Sequence, residues 1–73
     1  MNFIEAVKAM QDGTRITSPW RKAYGQSYAL SKKFNHCTCY IEEYSYDTMI
    51  NPTAILVDRD FLADDWEIVE WTS

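Results

Sequence analysis

The sequence is poor in the residues that most catalytic and metal-binding motifs require, with one histidine, two cysteines, two glycines and two prolines. It carries no Gly-rich phosphate loop, no nucleophile elbow and no metalloprotease motif. The compact group His36, Cys37 and Cys39 falls short of a zinc site, which takes about four ligands, usually as two separated pairs. Thiols packed in a strand are the expectation instead. Those cysteines also suit a disulfide badly, because alternate strand residues lie about 7 Å apart. No metal and no cofactor is expected. Apolar runs are only a few residues long, against roughly 20 for a bilayer span. The opening residues lack the basic-then-apolar layout of a signal peptide. A soluble, intracellular protein with no membrane partner is expected.

What is present is apolar and aromatic: 47% of the 73 residues are hydrophobic, with three Trp, five Tyr and three Phe. That composition is globular, and the length predicts a single compact domain over residues 1–73. A core of this size supplies about 3–5 kcal/mol of net stability, which makes oligomerisation a plausible reinforcement. The adjacent acids Glu42–Glu43 and Asp64–Asp65 resemble acid–base pairs only on paper. Neighbouring strand residues point to opposite faces and separate their carboxylates. A non-enzymatic protein is therefore expected.

Charge is divided along the chain. Residues 1–36 hold six of the seven basic side chains (Lys8, Arg15, Arg21, Lys22, Lys32 and Lys33) against Glu5 and Asp12. Residues 37–73 hold nine acids against Arg59 alone. Either the halves form separate faces, one for phosphates and one for a basic protein surface, or they neutralise each other across a sheet.

The opening MNFIEAVKAMQDG predicts one helix. Asn2 caps it, Glu5 completes a capping box, and Gly13 ends it. Phe3, Ile4, Val7 and Met10, with Ala6 beside them, form the core stripe, and Glu5, Lys8 and Gln11 face away. TRITS predicts a short strand with Ile16 inward and Arg15 and Thr17 outward; PWRKAYGQS reads as a loop. Further strands are expected in SYALSK, with Tyr28 and Leu30 on one face, in CTCYIEEYSY, in TAILV and in WEIVEW, with a helical turn in DRDFLADD. The sum is an α+β fold, one N-terminal helix packed on a mainly antiparallel sheet of about five short strands.

The stretch from Trp20 to Phe34 interleaves the cations Arg21, Lys22, Lys32 and Lys33 with the aromatics Trp20, Tyr24, Tyr28 and Phe34. Such a composition can stack bases and neutralise phosphates. Trp20, Arg21, Lys22, Lys32 and Lys33 are the candidate nucleic-acid or phosphate contacts, with the alternative that Tyr28 and Trp20 serve the core.

Three segments together, MNFIEAVKAM, GTRITSPW and DFLADDWEIVE, resemble a family of small phage proteins that includes the second Thoeris anti-defence proteins. The matching positions are Phe3 and Ala6, then Gly13, Ile16, Pro19 and Trp20, then Leu62, Ala63, Asp65, Trp66 and Glu67. The resemblance covers about half the chain, at its two ends. It implies a helix-plus-sheet phage protein, some relatives of which sequester cyclic nucleotide immune signals while others are linked to inhibiting CRISPR nucleases. It also implies that Leu62 and Trp66 pin the last strand under the helix, that Asp65 begins that strand, and that the other carboxylates stay outside. The chain departs from the pattern where TS stands in place of an arginine before the loop tryptophan, and where MINPTAILVDR replaces a tryptophan-containing segment. In length and character, though not by motif, the chain also looks like the small RNA-polymerase-binding transcription regulator of a Xanthomonas phage.

The leading expectation from these resemblances is a phage host-takeover protein in the cytoplasm of the infected bacterium. It would bind host RNA polymerase, with nascent RNA nearby, to block initiation or suppress termination. Its expected partner contacts are Asn2, Glu5 and Lys8 on the first helix, the Arg21–Lys22 loop and an acidic strand edge. The alternatives are a sponge for a cyclic nucleotide, with Trp20 stacking a base and Arg15, Arg21 or Lys22 holding phosphates, and an anti-CRISPR protein.

Overall fold

The computed structural model describes residues 1–31 and 40–69. Lys32, Lys33, His36, Cys37, Cys39, Glu70 and Trp71, and the expectations attached to them, lie outside the described residues. The fold is α+β. Helix α1 (Phe3–Gln11) packs on a five-stranded antiparallel sheet. The strands are β1 (Ile16–Thr17), β2 (Gln26–Leu30), β3 (Ile41–Ser45), β4 (Thr48–Asn51) and β5 (Glu67–Ile68), in the spatial order β4-β3-β2-β1-β5. Two short helices, α2 (Pro19–Lys22) and α3 (Asp58–Leu62), complete it.

Helix α1 begins as its sequence dictates. The Asn2 side chain accepts from the Glu5 N–H at 2.9 Å, and Glu5 Oε1 accepts from the Asn2 N–H at 2.9 Å. The two otherwise orphaned donors are thereby satisfied. Gly13, at φ 92°, closes the far end, its N–H donating to the Met10 carbonyl. The buried stripe, however, is Phe3, Ala6, Val7 and Met10, and Ile4 is 68% exposed. A helix that starts at Phe3 presents its i, i+3, i+4 and i+7 positions to the sheet, which leaves Ile4 about 100° round the axis.

Ile16, Tyr28 and Trp66 fill the centre beneath α1, and Leu30 and Ile41 pack beside them. Register follows: Ile16 pairs with Tyr28 and Ile68, Tyr28 with Glu43, and Leu30 with Ile41. Thr17, expected outside, is buried, and its hydroxyl donates to the Gln26 carbonyl at 2.7 Å. Residues 19–22 are helical rather than a loop, because Pro19 sits at the first helical position, where its fixed φ and missing N–H cost nothing.

The fourth strand is not TAILV but Thr48–Asn51, the return arm of a hairpin on β3. Tyr46 takes the turn at φ 53°, a conformation that disfavours non-glycine residues. Arg15 holds the turn from below, with Nη1 on the Tyr46 carbonyl at 2.7 Å and Nη2 on Asp47 at 3.1 Å. With β3 already paired on that side, Ala54 and Leu56 pack against the core from an irregular segment and Ile55 is left 81% exposed. The last strand is shorter than expected and begins at Glu67 rather than Asp65. Ile68, on the edge strand, is half-exposed. Trp66 does sit under α1, and its backbone exchanges two hydrogen bonds with Met1, of 3.0 and 2.9 Å.

Gly25, at φ +71°, lies where a Cβ would stand 2.7 Å from the Tyr46 ring. Gly25→Ala is expected to lower unfolding stability by about 1–2 kcal/mol, mainly through backbone strain, since the exposed Tyr46 ring can move aside. The check is a urea melt of both proteins; equal midpoints would contradict it.

Candidate functional site

Basic residues meet acidic ones where α2 and α3 come together over the sheet. Arg21 donates from Nε to Asp60 Oδ1 at 3.1 Å and from Nη2 to Oδ2 at 2.7 Å, a bidentate pair. Its remaining Nη1 donates to Gln26 Oε1 at 3.0 Å. Asp60 is fully buried and also accepts from the Val57 N–H at 2.8 Å, so its carboxylate caps α3 while it binds Arg21. The Asp60 carbonyl accepts from Trp66 Nε1 at 2.8 Å. One aspartate thus joins α2, the start of α3 and the central tryptophan.

The guanidinium of Arg21 stands 4.2 Å from the Trp20 ring centre and 5.4 Å from that of Tyr28. Arg59 lies over the same indole at 4.7 Å. Trp20 Nε1 is buried and has no hydrogen-bond partner among the described residues, an arrangement that costs about 1–3 kcal/mol. The hydrogen bond that the Arg21 guanidinium donates to Asp60 holds its pKa above the ordinary range. Burial pushes the Tyr28 phenol up, and its hydroxyl donates to Glu43 at 3.4 Å.

These contacts correct the sequence reading in two places. Asp60, expected as surface charge, is an interior ion-pair member, and Arg21, expected to meet a partner or a phosphate, has a side chain only 11% exposed and is committed to Asp60. Leu62, expected to pin the last strand, is instead 82% exposed. Lys22 reaches solvent in a half-exposed pair with Glu67 at 3.2 Å, a contact worth under about 1 kcal/mol. It borders a concavity of about 610 Å³ with Thr17, Trp66 and Glu67. Arg15 is engaged at the hairpin turn and lies 4.8 Å from the Tyr44 ring centre. Every ion pair among the described residues joins a base of the first half to an acid of the second, so the two halves are linked by charge at three places. Asn2, Glu5 and Lys8 do face solvent, although Asn2 and Glu5 are occupied with each other in the cap.

Sequence reasoning passed over Asp60 and Arg59. The signal for Asp60 was its place at the third position of a short helix, where a carboxylate reaches back to the preceding N–H. Nothing in the sequence announced that its other face would meet Arg21, which is 39 residues away.

Removing one member of the buried pair should be severe. Asp60→Ala is expected to cost about 3–5 kcal/mol, because it strands the Arg21 charge, whereas Arg21→Met with Asp60→Leu should recover most of that loss. Urea denaturation checks both, and a mild Asp60→Ala phenotype would contradict the assignment. Tyr28 sets a second expectation. Its raised pKa keeps stability intact below about pH 10 and removes it as pH climbs toward the folded-state value, with a slope of about 1.4 kcal/mol per pH unit. Tyr28→Phe should flatten that slope, as read from unfolding midpoints at successive alkaline pH; an unchanged slope would contradict it.

No protein-family model, no curated protein and no solved structure matches the chain.

Proposed function

We propose that the protein is a non-enzymatic phage host-takeover factor that docks on host RNA polymerase in the infected cell and thereby blocks or redirects transcription. The observation that carries this reading is the surface where α1 meets α3. There the Phe3 and Phe61 rings touch edge to face at 5.0 Å, and their sequence neighbours Ile4 and Leu62 are 68% and 82% exposed. Phe61 itself is half-exposed. Large side chains left outside together are a feature of protein-binding surfaces. A stable complex needs about 1,000 Å² or more of total buried area, a large share for a domain whose whole surface is 4993 Å². The resemblance in length and character to a polymerase-binding phage regulator supplies the identity of the partner.

The competing sponge reading is weakened by the same geometry. Arg21 is held by Asp60, Arg15 holds the hairpin turn, and two guanidiniums already stand over the Trp20 ring on which a base would stack. Lys22 alone among those proposed phosphate ligands is half-exposed.

Purified protein and purified host polymerase should co-elute in size-exclusion chromatography, and addition of the protein should lower promoter-initiated transcription. Ile4→Asp is expected to weaken the complex at least about tenfold, the effect of losing a well-packed apolar contact. Failure of the wild-type protein to co-elute, with a nucleotide released from it on heating, would replace this reading by the sponge.

A further inference from the structure

Between α2 and α3 runs a groove of about 520 Å³ lined by Pro19, Trp20, Arg59, Leu62, Asp64 and Asp65. We propose that this groove seats an extended segment of the protein partner carrying a Lys or Arg two residues from an apolar residue. The proposal rests on the protein-binding reading above and names the chemistry of the partner at one end of the same surface.

Three features select that occupant. The first is shape and polarity: Pro19, Trp20 and the outward Leu62 offer an apolar floor, its indole overlaid by the guanidiniums of Arg21 and Arg59. The second is charge. Asp64 and Asp65 are exposed and make no ion pair or hydrogen bond among the described residues, so one wall carries two uncompensated carboxylates. They repel a phosphate and attract a cation. The third is Arg59, whose guanidinium rests 4.7 Å from the Trp20 ring centre. It has no carboxylate partner within ion-pair distance among the described residues. A cation therefore already occupies the indole from within the chain, and unlike Arg21 it is exposed and free to leave.

These features fit together as an exchange. A basic side chain of the partner takes the place of Arg59 over Trp20, between the indole and the Asp64–Asp65 wall, while Arg59 swings into solvent. Movement of Arg59 opens the ring face of Trp20, and as the segment seats beside the ring, Nε1, a buried donor with no acceptor among the described residues, turns its N–H to a main-chain carbonyl of that segment. Alternate side chains of an extended segment lie about 7 Å apart on one face, so an apolar residue two places from the cation reaches Leu62. A mononucleotide offers no cation to the acidic wall.

The test reads the indole N–H directly. In ¹⁵N-labelled protein, the resonance of Trp20 is identified among those of the three tryptophans by its loss in Trp20→Phe. The probes are a capped hexapeptide of Ser-Lys-Ser-Phe-Ser-Arg, the same peptide with Glu replacing Lys and Arg, and adenosine monophosphate. The basic peptide is expected to shift the Trp20 resonance downfield, and Asp64→Asn with Asp65→Asn, both at exposed positions, should raise its Kd by about fivefold or more. Several results would overturn the proposal: no shift with the basic peptide, equal shifts with both peptides, a shift with adenosine monophosphate instead, or a shift on concentrating the protein alone, which would make a second copy the occupant. Because the peptide titration contains no polymerase, a failed groove leaves the polymerase reading standing. A peptide-binding protein that ignores polymerase does the reverse.

Discussion

Everything on the α2–α3 side of the molecule depends on the buried pair between Arg21 and Asp60. Asp60 is fully buried and accepts from Nε and Nη2 along one edge of the guanidinium and from the Val57 N–H, so the cost of removing its charge from water is offset by three charge-assisted hydrogen bonds. Its carbonyl orients Trp66, and Trp66 in turn packs against Phe3 and Tyr28. A hydrophobic pair of similar size could match this stability. The ion pair joins α2 to α3, and a well-packed apolar pair at the same two positions can take its place.

That use of Arg21 changes what the division of charge along the chain means. A sequence with a basic first half and an acidic second half suggests two opposed faces. Folding instead sets Arg15 against Asp47, Arg21 against Asp60 and Lys22 against Glu67. The antiparallel order places the basic turn-and-helix segment beside the returning acidic one. Among the exposed groups outside the ion pairs of the described residues are Asp58, Arg59, Asp64 and Asp65 on and after α3, Lys8 and Asp12 on and after α1, and apolar side chains of the same two helices. Such a remainder favours a protein partner over a polyphosphate.

Much of the architecture was legible in the sequence because local chemistry decided it. Asn2 with Glu5 gave the helix start, Gly13 its stop, and alternation placed Tyr28 and Leu30 on one face. The failures share a cause, which is that tertiary context outweighed local pattern. Ile4 and Leu62 look like core residues by type, yet the small Ala6 lets α1 approach the sheet on the neighbouring face, and α3 turns Leu62 outward. The β3–β4 hairpin was missed because its turn residues are Tyr46 and Asp47 rather than the Asn-Gly or Asp-Gly that favour φ > 0. A long-range arginine stabilises that turn, and no window of neighbouring residues reveals it. The candidate site was half legible: Trp20 and Arg21 were noticed as a pair, but for phosphate contact, whereas the structure engages Arg21 with Asp60.

The central claim is that Arg21 builds the surface and does not itself touch the partner. Its most direct test is the affinity for purified polymerase of a variant carrying both Arg21→Met and Asp60→Leu, once its indole and amide spectra show the native fold. The account predicts affinity within about threefold of the wild type, as for a residue outside the contact. Loss of binding with the fold intact would make Arg21 a contact residue and contradict the account.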